Sequence, residues 1–146
     1  MHSIRLSGLL VVCVSILLSG CGDTRPFQAT IVHGSVSFQG TPIQNGEIRF
    51  YPKDGTKGPV SGGPIKDGRF EVKTKGGVPV GNHSVKIQAF QTTTAKQNED
   101  LPPEVAADFS GDLQQFLPQK FNTNTELTAE VFSSEKRQQL DFDLQD

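Results

Sequence analysis

The chain has 146 residues, a formal charge of −2, 15 glycines, 9 prolines and no tryptophan. That length excludes a multi-domain enzyme, the glycine and proline content argues against a helical bundle, and the acidic balance disfavours nucleic acid as a partner. Twelve of the fifty apolar residues fall in the first twenty positions, so the remainder is lean in apolar residues and reads as one small, turn-rich domain.

At the N-terminus Arg5 precedes an apolar run from Leu6 to Leu18, broken only by Ser7, Gly8 and Ser15. This is a basic n-region followed by a short h-region. As a helix the run would span about 20 Å against a hydrocarbon core about 30 Å thick, so residues 1–20 read as a removable leader and not as a membrane-crossing helix. The run ends in Leu18-Ser19-Gly20-Cys21. A branched apolar residue and two small ones before a cysteine resemble the lipobox of bacterial lipoproteins. In that family small side chains let an extended segment enter a peptidase groove, and the resemblance implies that the Cys21 thiol would be the nucleophile that accepts a diacylglyceryl group.

The resemblance implies cleavage between Gly20 and Cys21, then acylation of the new N-terminus. Residues 21–29 would form a lipidated tether, and residues 30–146 the domain. Cys13 would leave with the leader and Cys21 would end as a thioether, leaving neither disulfide nor free thiol. Two or more acyl chains anchor stably, so membrane lipid is the expected partner through Cys21. The expected location is the cell membrane or the outer membrane, facing the periplasm or the exterior. Asp23 stands one place beyond the position that favours inner-membrane retention in enteric bacteria, which leaves inner versus outer membrane open. The competing reading is an ordinary secretory signal with a chance cysteine.

From Ile31 onward apolar residues recur with period 2 in short runs bounded by turn residues, the pattern of half-buried strands. Val32, Gly34, Val36 and Phe38 share one face of the first run, which Gln39-Gly40-Thr41-Pro42 ends. Glu47 to Tyr51 places Ile48 and Phe50 together, entered through Asn45-Gly46 and followed by a solvated loop from Pro52 to Gly58. A weak strand from Val60 to Ile65 meets Arg69 to Lys73 across Asp67-Gly68, a strong hairpin signal. Ser84 to Phe90 alternates with Val85, Ile87 and Ala89 inward, and two more strands are expected near Glu126 to Phe132 and Gln139 to Leu144. Seven short strands at this spacing predict an all-β fold, a seven-stranded antiparallel β-sandwich of Ig-like or transthyretin-like type.

The strings Gly34 to Ile43, Gly46 to Phe50, Lys66 to Val72 and Val80 to Ile87 resemble the carboxypeptidase regulatory-like domain. The resemblance covers about Ile31 to Phe90, with a familiar tail at Leu117 to Asn122 leading into Leu127 to Val131. It implies a transthyretin-like, prealbumin-type sandwich of the kind common in small bacterial lipoproteins, and it carries no chemistry. Where that family usually has an aromatic, often Tyr, this chain has His83. The expectation is a partly exposed histidine capping a corner of the sandwich.

Between the strand ending near Phe90 and that starting near Glu126 lies an insertion, residues 91–119, far longer than the usual connection of about four to six residues. Val105, Phe109, Leu113, Phe116 and Leu117 fall at helical spacing behind Pro102-Pro103, so a partly helical flap is expected. The flap covers an open end or a sheet edge of the sandwich or, in the sharper reading, Val105, Phe109, Leu113 and Phe116 dock a partner, expected to be an envelope protein.

No catalytic set is expected. After leader removal His33 and His83 are the remaining histidines, on different strands and without cysteine, so zinc is not expected. The serines lack a Gly-x-Ser-x-Gly context, and Asp54-Gly55 and Asp67-Gly68 lack calcium-loop spacing. Asp141 and Asp143 are read as solvated strand exteriors. Hydroxyisourate hydrolases share the transthyretin-like fold, but their C-terminal Tyr-Arg-Gly-Ser is replaced here by Leu144-Gln145-Asp146. The sequence therefore favours a non-enzymatic, anchored structural or protein-interaction module without cofactor or metal. The alternative is a carbohydrate or small-ligand binding module, for which Tyr51 is the single tyrosine to serve as a platform.

Overall fold

The computed structural model describes residues 26–92, 113–133 and 136–146. The expected leader, the cleavage pair Gly20 and Cys21, most of the tether, and Val105 and Phe109 lie outside these residues. The described chain forms eleven strand segments: β1 (Ala29–Phe38), β2 (Thr41–Pro42), β3 (Asn45–Pro52), β4 (Ser61–Lys66), β5 (Arg69–Val72), β6 (Val78–Pro79), β7 (Gly81–Thr92), β8 (Leu113–Gln115), β9 (Thr128–Val131), β10 (Arg137–Gln139) and β11 (Phe142–Leu144). Single 3-10 turns occupy Thr74–Gly76 and Gln119–Phe121.

The all-β expectation holds. The strands join in one curled sheet of order β10-β1-β5-β4-β3-β7-β8, with β2, β6 and β11 also on β1 and β9 on β7. Most pairs are antiparallel, as expected, but β10 and β11 both run parallel to β1. The chain returns to β1 after crossing the whole fold, so its last strands arrive in the direction of its first.

Period-2 alternation explains the core. Val32 and Val36 of β1, Ile48 and Phe50 of β3, and Val85, Ile87 and Ala89 of β7 are buried, while Glu47, Arg49 and Lys86 between them face outward. Three rings bridge the interior: Phe50 stands 6.3 Å from Phe70, which stands 6.2 Å from Phe142. Burying a ring such as Phe50 contributes about 2 to 3 kcal/mol. The Asp67-Gly68 hairpin is present as read, with Lys66 opposite Arg69 and φ of 49° and 72° at the two turn residues. Two positive φ values in succession make a type I′ turn, whose twist matches the strands it joins.

Strand direction gives the molecule two ends. Ala29, Pro52, Ser61, Gly81, Val131 and Arg137 lie toward the end where β1 starts, and Phe38, Asn45, Lys66 and Leu144 toward the other. Ten residues of β1 at about 3.3 Å each separate these ends by about 33 Å.

Two close contacts hold β1 and the chain's last segment together. At Gly34 the carbonyl of Leu140 crosses so near that an added Cβ would stand 1.7 Å from its oxygen. The parallel ladder breaks there, and Asp141 takes over: its Oδ1 accepts the Ser35 backbone N–H at 2.8 Å and the Ser35 hydroxyl at 2.7 Å. One strand turn away, Gln138 is buried, and its carboxamide donates to the Glu130 carbonyl at 2.8 Å and accepts from the Phe132 N–H at 2.9 Å. The Thr30 hydroxyl donates to the Phe132 carbonyl at 2.7 Å.

Replacing Gln138 by Leu strands the Glu130 carbonyl and the Phe132 N–H, so urea unfolding should show a loss of about 2 to 4 kcal/mol. Gly34→Ala should cost about 1 to 3 kcal/mol in the same assay, because Leu140 must move. A neutral outcome for both would show that the β10–β11 segment is not held as described.

Candidate functional site

The insertion's expected docking residues divide between described and undescribed chain. Leu113 and Phe116 are described, and the helical spacing expected of them is corrected: Leu113–Gln115 is strand β8, paired antiparallel with Phe90–Thr92 at the end of β7. The last residues of β7 offer backbone groups that a strand satisfies and a helix would not. Leu113 is 68% exposed and Phe116 39%, while Leu117 is buried. Phe116 leans on Phe38 with ring centroids 6.3 Å apart, and Phe121 meets Phe38 edge-on at 6.2 Å. The result is an exposed apolar edge at the end of the molecule opposite the start of β1.

Two hollows open on the surface among the described residues. The larger, about 660 Å³, is lined by His33, Ser35, Ser37, Arg69, Gln139 and Asp141 among others. Asp141 is held below the usual carboxylate range, first by the Ser35 hydroxyl, then by the Gln139 amide and the Ser35 N–H. Asp143 repeats the arrangement two residues on, with the Ser37 hydroxyl at 2.7 Å and Gln145 donating at 2.8 Å, and its pKa is lowered by these partners. Both aspartates are exterior, as expected, but they are tied to serines and not merely solvated. The smaller hollow, about 230 Å³, brings Glu47, Arg49, Tyr51, Lys86 and Gln88 together. Arg49 pairs with Glu47 at 2.8 Å, and the Lys86 ammonium stands 5.0 Å from the Tyr51 ring centroid. The sole tyrosine therefore has one face engaged by a cation.

His83 is fully buried, which corrects the expected partly exposed cap. It follows Val85, Ile87 and Ala89 onto the inward face of β7, and Phe50 meets it edge-on at 6.1 Å. Nδ1 lies 3.0 Å from the Gly81 carbonyl and donates to it, which leaves Nε2 as the acceptor nitrogen, without a hydrogen-bond partner among the described residues. Burial pushes the His83 pKa down, against the weaker opposing pull of the Gly81 carbonyl. His33 sits on the outer face of β1, in the larger hollow, so the structure does not bring the two histidines together. Asp54 and Asp67 adopt positive φ at turn positions, and among the described residues no three His, Cys, Asp or Glu side chains group to hold a metal ion. No helix of the described residues is long and apolar enough to cross a membrane.

No protein-family model matches the chain, and no curated protein matches it. Among solved structures, a 9R-lipoxygenase from Cyanothece PCC8801 matches 84% of this chain at 14% identity and a TM-score of 0.32. The chain spans 17% of that lipoxygenase. At that TM-score the match bears on neither fold nor activity.

The geometry of His83 makes stability pH-dependent in one direction. The unfolded chain binds a proton near the ordinary value of 6.5, and the folded chain resists it until lower pH, so stability is complete above that value and falls as pH drops below it. The exterior carboxylates Asp141 and Asp143 lose their contribution only at more acid pH, below their ordinary value of 3.8. Melting temperature should therefore decline as pH falls below about 6.5, and His83→Phe should flatten that decline. A variant with the same slope as the parent would show that another group titrates.

Proposed function

We propose that the chain is a non-enzymatic envelope lipoprotein, anchored through acylated Cys21, whose domain is a carboxypeptidase regulatory-like, transthyretin-type sandwich serving as a structural or protein-interaction module. One observation carries the reading: Arg5, the apolar run to Leu18, and Leu18-Ser19-Gly20-Cys21 stand in order immediately before a folded domain that begins within the next few residues. The exposed edge formed by Leu113 and Phe116, at the end of the domain away from the tether, supports a protein-interaction role. The polar side chains that would be first candidates for acid–base work are engaged structurally. His83 lies in the core, and Asp141 and Asp143 are bonded to Ser35 and Ser37.

A second reading, a module binding glycan or another small polar ligand, is favoured by the larger hollow, where Arg69, His33, Ser35 and Gln139 offer hydrogen-bonding groups over about 660 Å³. Stacking against Tyr51 is disfavoured by Lys86 over its ring. The protein-interaction reading therefore ranks first.

Cys21→Ser should abolish incorporation of a labelled fatty acid and release the protein from washed membranes; unchanged labelling and unchanged membrane association would defeat the anchor. A photocrosslinker placed at Leu113 in living cells should yield one discrete protein adduct, lost on Phe116→Arg and kept on Tyr51→Ala. Glycan recovered in place of protein would reverse the ranking of the two readings.

A further inference from the structure

We propose that the end of the domain where β1 starts is a second, noncovalent membrane contact, a basic face that lies on an anionic phospholipid surface. The proposal rests on the lipid-anchor reading of Cys21 for its geometry. Phe27 lies against Gly58, and the Gln28 carbonyl accepts the Val80 N–H at 2.9 Å, so the chain is already fixed to the domain at these residues. From Cys21 to Phe27 is six residues, a reach of no more than about 20 Å when fully extended. An acylated Cys21 would thus hold this end, and not the Leu113 end about 33 Å away, against the lipid.

The charge of that end fits such a surface. Lys53 and Lys57 stand on the loop after β3, Lys73 precedes and Lys75 lies within the turn after β5, Lys136 precedes β10 and Arg137 opens it, all of them exposed. The carboxylates described there are Asp54, Glu71 and Glu130. Asp54 is 3.6 Å from Lys53, and Glu71 is shared between Lys73 and Arg137; with Glu135, the sequence neighbour of Lys136, counted in, this end carries six cations against four carboxylates. At the opposite end Asp67, Asp143 and Asp146 offset Lys66, Arg69 and Lys120. In a chain whose overall charge is −2, the basic end is a segregation of charge and not an average. Lysines within a Debye length of an anionic bilayer are attracted to it, and salt screens that attraction.

Two apolar side chains complete the face. Val60 and Phe132 are each 50% exposed at this end. Phe132 is presented by a fixed backbone, its N–H on the Gln138 carboxamide and its carbonyl on the Thr30 hydroxyl. An exposed ring on a rigid support, at an end that bears lysines, is the composition of an interfacial membrane contact.

The chain has no tryptophan, so a single introduced one reports alone. Phe132→Trp, Val60→Trp and, at the far end, Gln44→Trp would be placed in the Cys21 protein and in Cys21→Ser, each reconstituted with brominated phosphatidylcholine vesicles with and without about one-third phosphatidylglycerol. The expected result is quenching at positions 60 and 132 several-fold above that at 44, dependent on phosphatidylglycerol and reversed by high salt. The triple change Lys53→Glu, Lys57→Glu and Lys136→Glu should bring quenching at 132 down to the level at 44 while fatty-acid labelling stays unchanged. Equal quenching at all three positions, or quenching indifferent to phosphatidylglycerol, would overturn the proposal even where Cys21 is acylated. Unacylated Cys21 with the quenching pattern retained would overturn the anchor and leave the basic face standing.

Discussion

One buried carboxamide makes the closing passage of this fold satisfiable. Between β9 and β10 the chain crosses from the edge of the sheet at β7 to the edge at β1, and a backbone making that crossing would leave buried polar groups bare. Gln138 meets the need as a detached peptide unit: its amide donor and acceptor take the Glu130 carbonyl and the Phe132 N–H, the two groups that flank Val131. Thr30 takes the next carbonyl in line. The first strand, the penultimate strands and the far edge of the sheet are thereby fastened at one place. Asp141 plays the same part further along, its carboxylate standing in for a backbone carbonyl opposite Ser35 where Leu140 has broken the ladder over Gly34. In both cases a side chain completes hydrogen bonding that strand geometry leaves undone.

The charged side chains are unevenly shared between the two ends: cations outnumber carboxylates toward the start of β1, and the two balance toward its finish. The exposed apolar residues divide likewise, Val60 and Phe132 at one end and Leu113 and Phe116 at the other. Were Cys21 acylated as proposed, a domain with two unlike ends would be suited to standing between a membrane and something else, which is the sense in which the anchor reading and the interaction reading support each other.

Period-2 alternation made the strand core legible in the sequence, because Val32, Val36, Ile48, Phe50, Val85, Ile87 and Ala89 each sit where local pattern puts them. The Asp67-Gly68 turn was legible for the same local reason. His83 was legible too, had the alternation been extended one step: it shares parity with Val85, and resemblance to an aromatic corner position pointed outward instead. Leu113 and Phe116 misled because spacing alone cannot register that the end of β7 was waiting for a strand. The bonds of Asp141 and Asp143 to Ser35 and Ser37 join residues 106 positions apart, beyond anything a window on the chain can see. Cys21 belongs wholly to the sequence, since its meaning lies in the residues before it.

The parallel seating of β10 and β11 on β1 sets the order in which the sheet can be completed. Ribosomes release Ala29 to Phe38 early, and its outer edge has no partner until residues 137–144 exist. For most of its synthesis the chain therefore carries an unpaired strand edge, the feature that β proteins otherwise blunt or cover to avoid sticking to one another. Closure requires contacts across nearly the whole sequence, the kind that slow folding. A chain cut short near its C-terminus would keep most of its core and lose its protection against self-association.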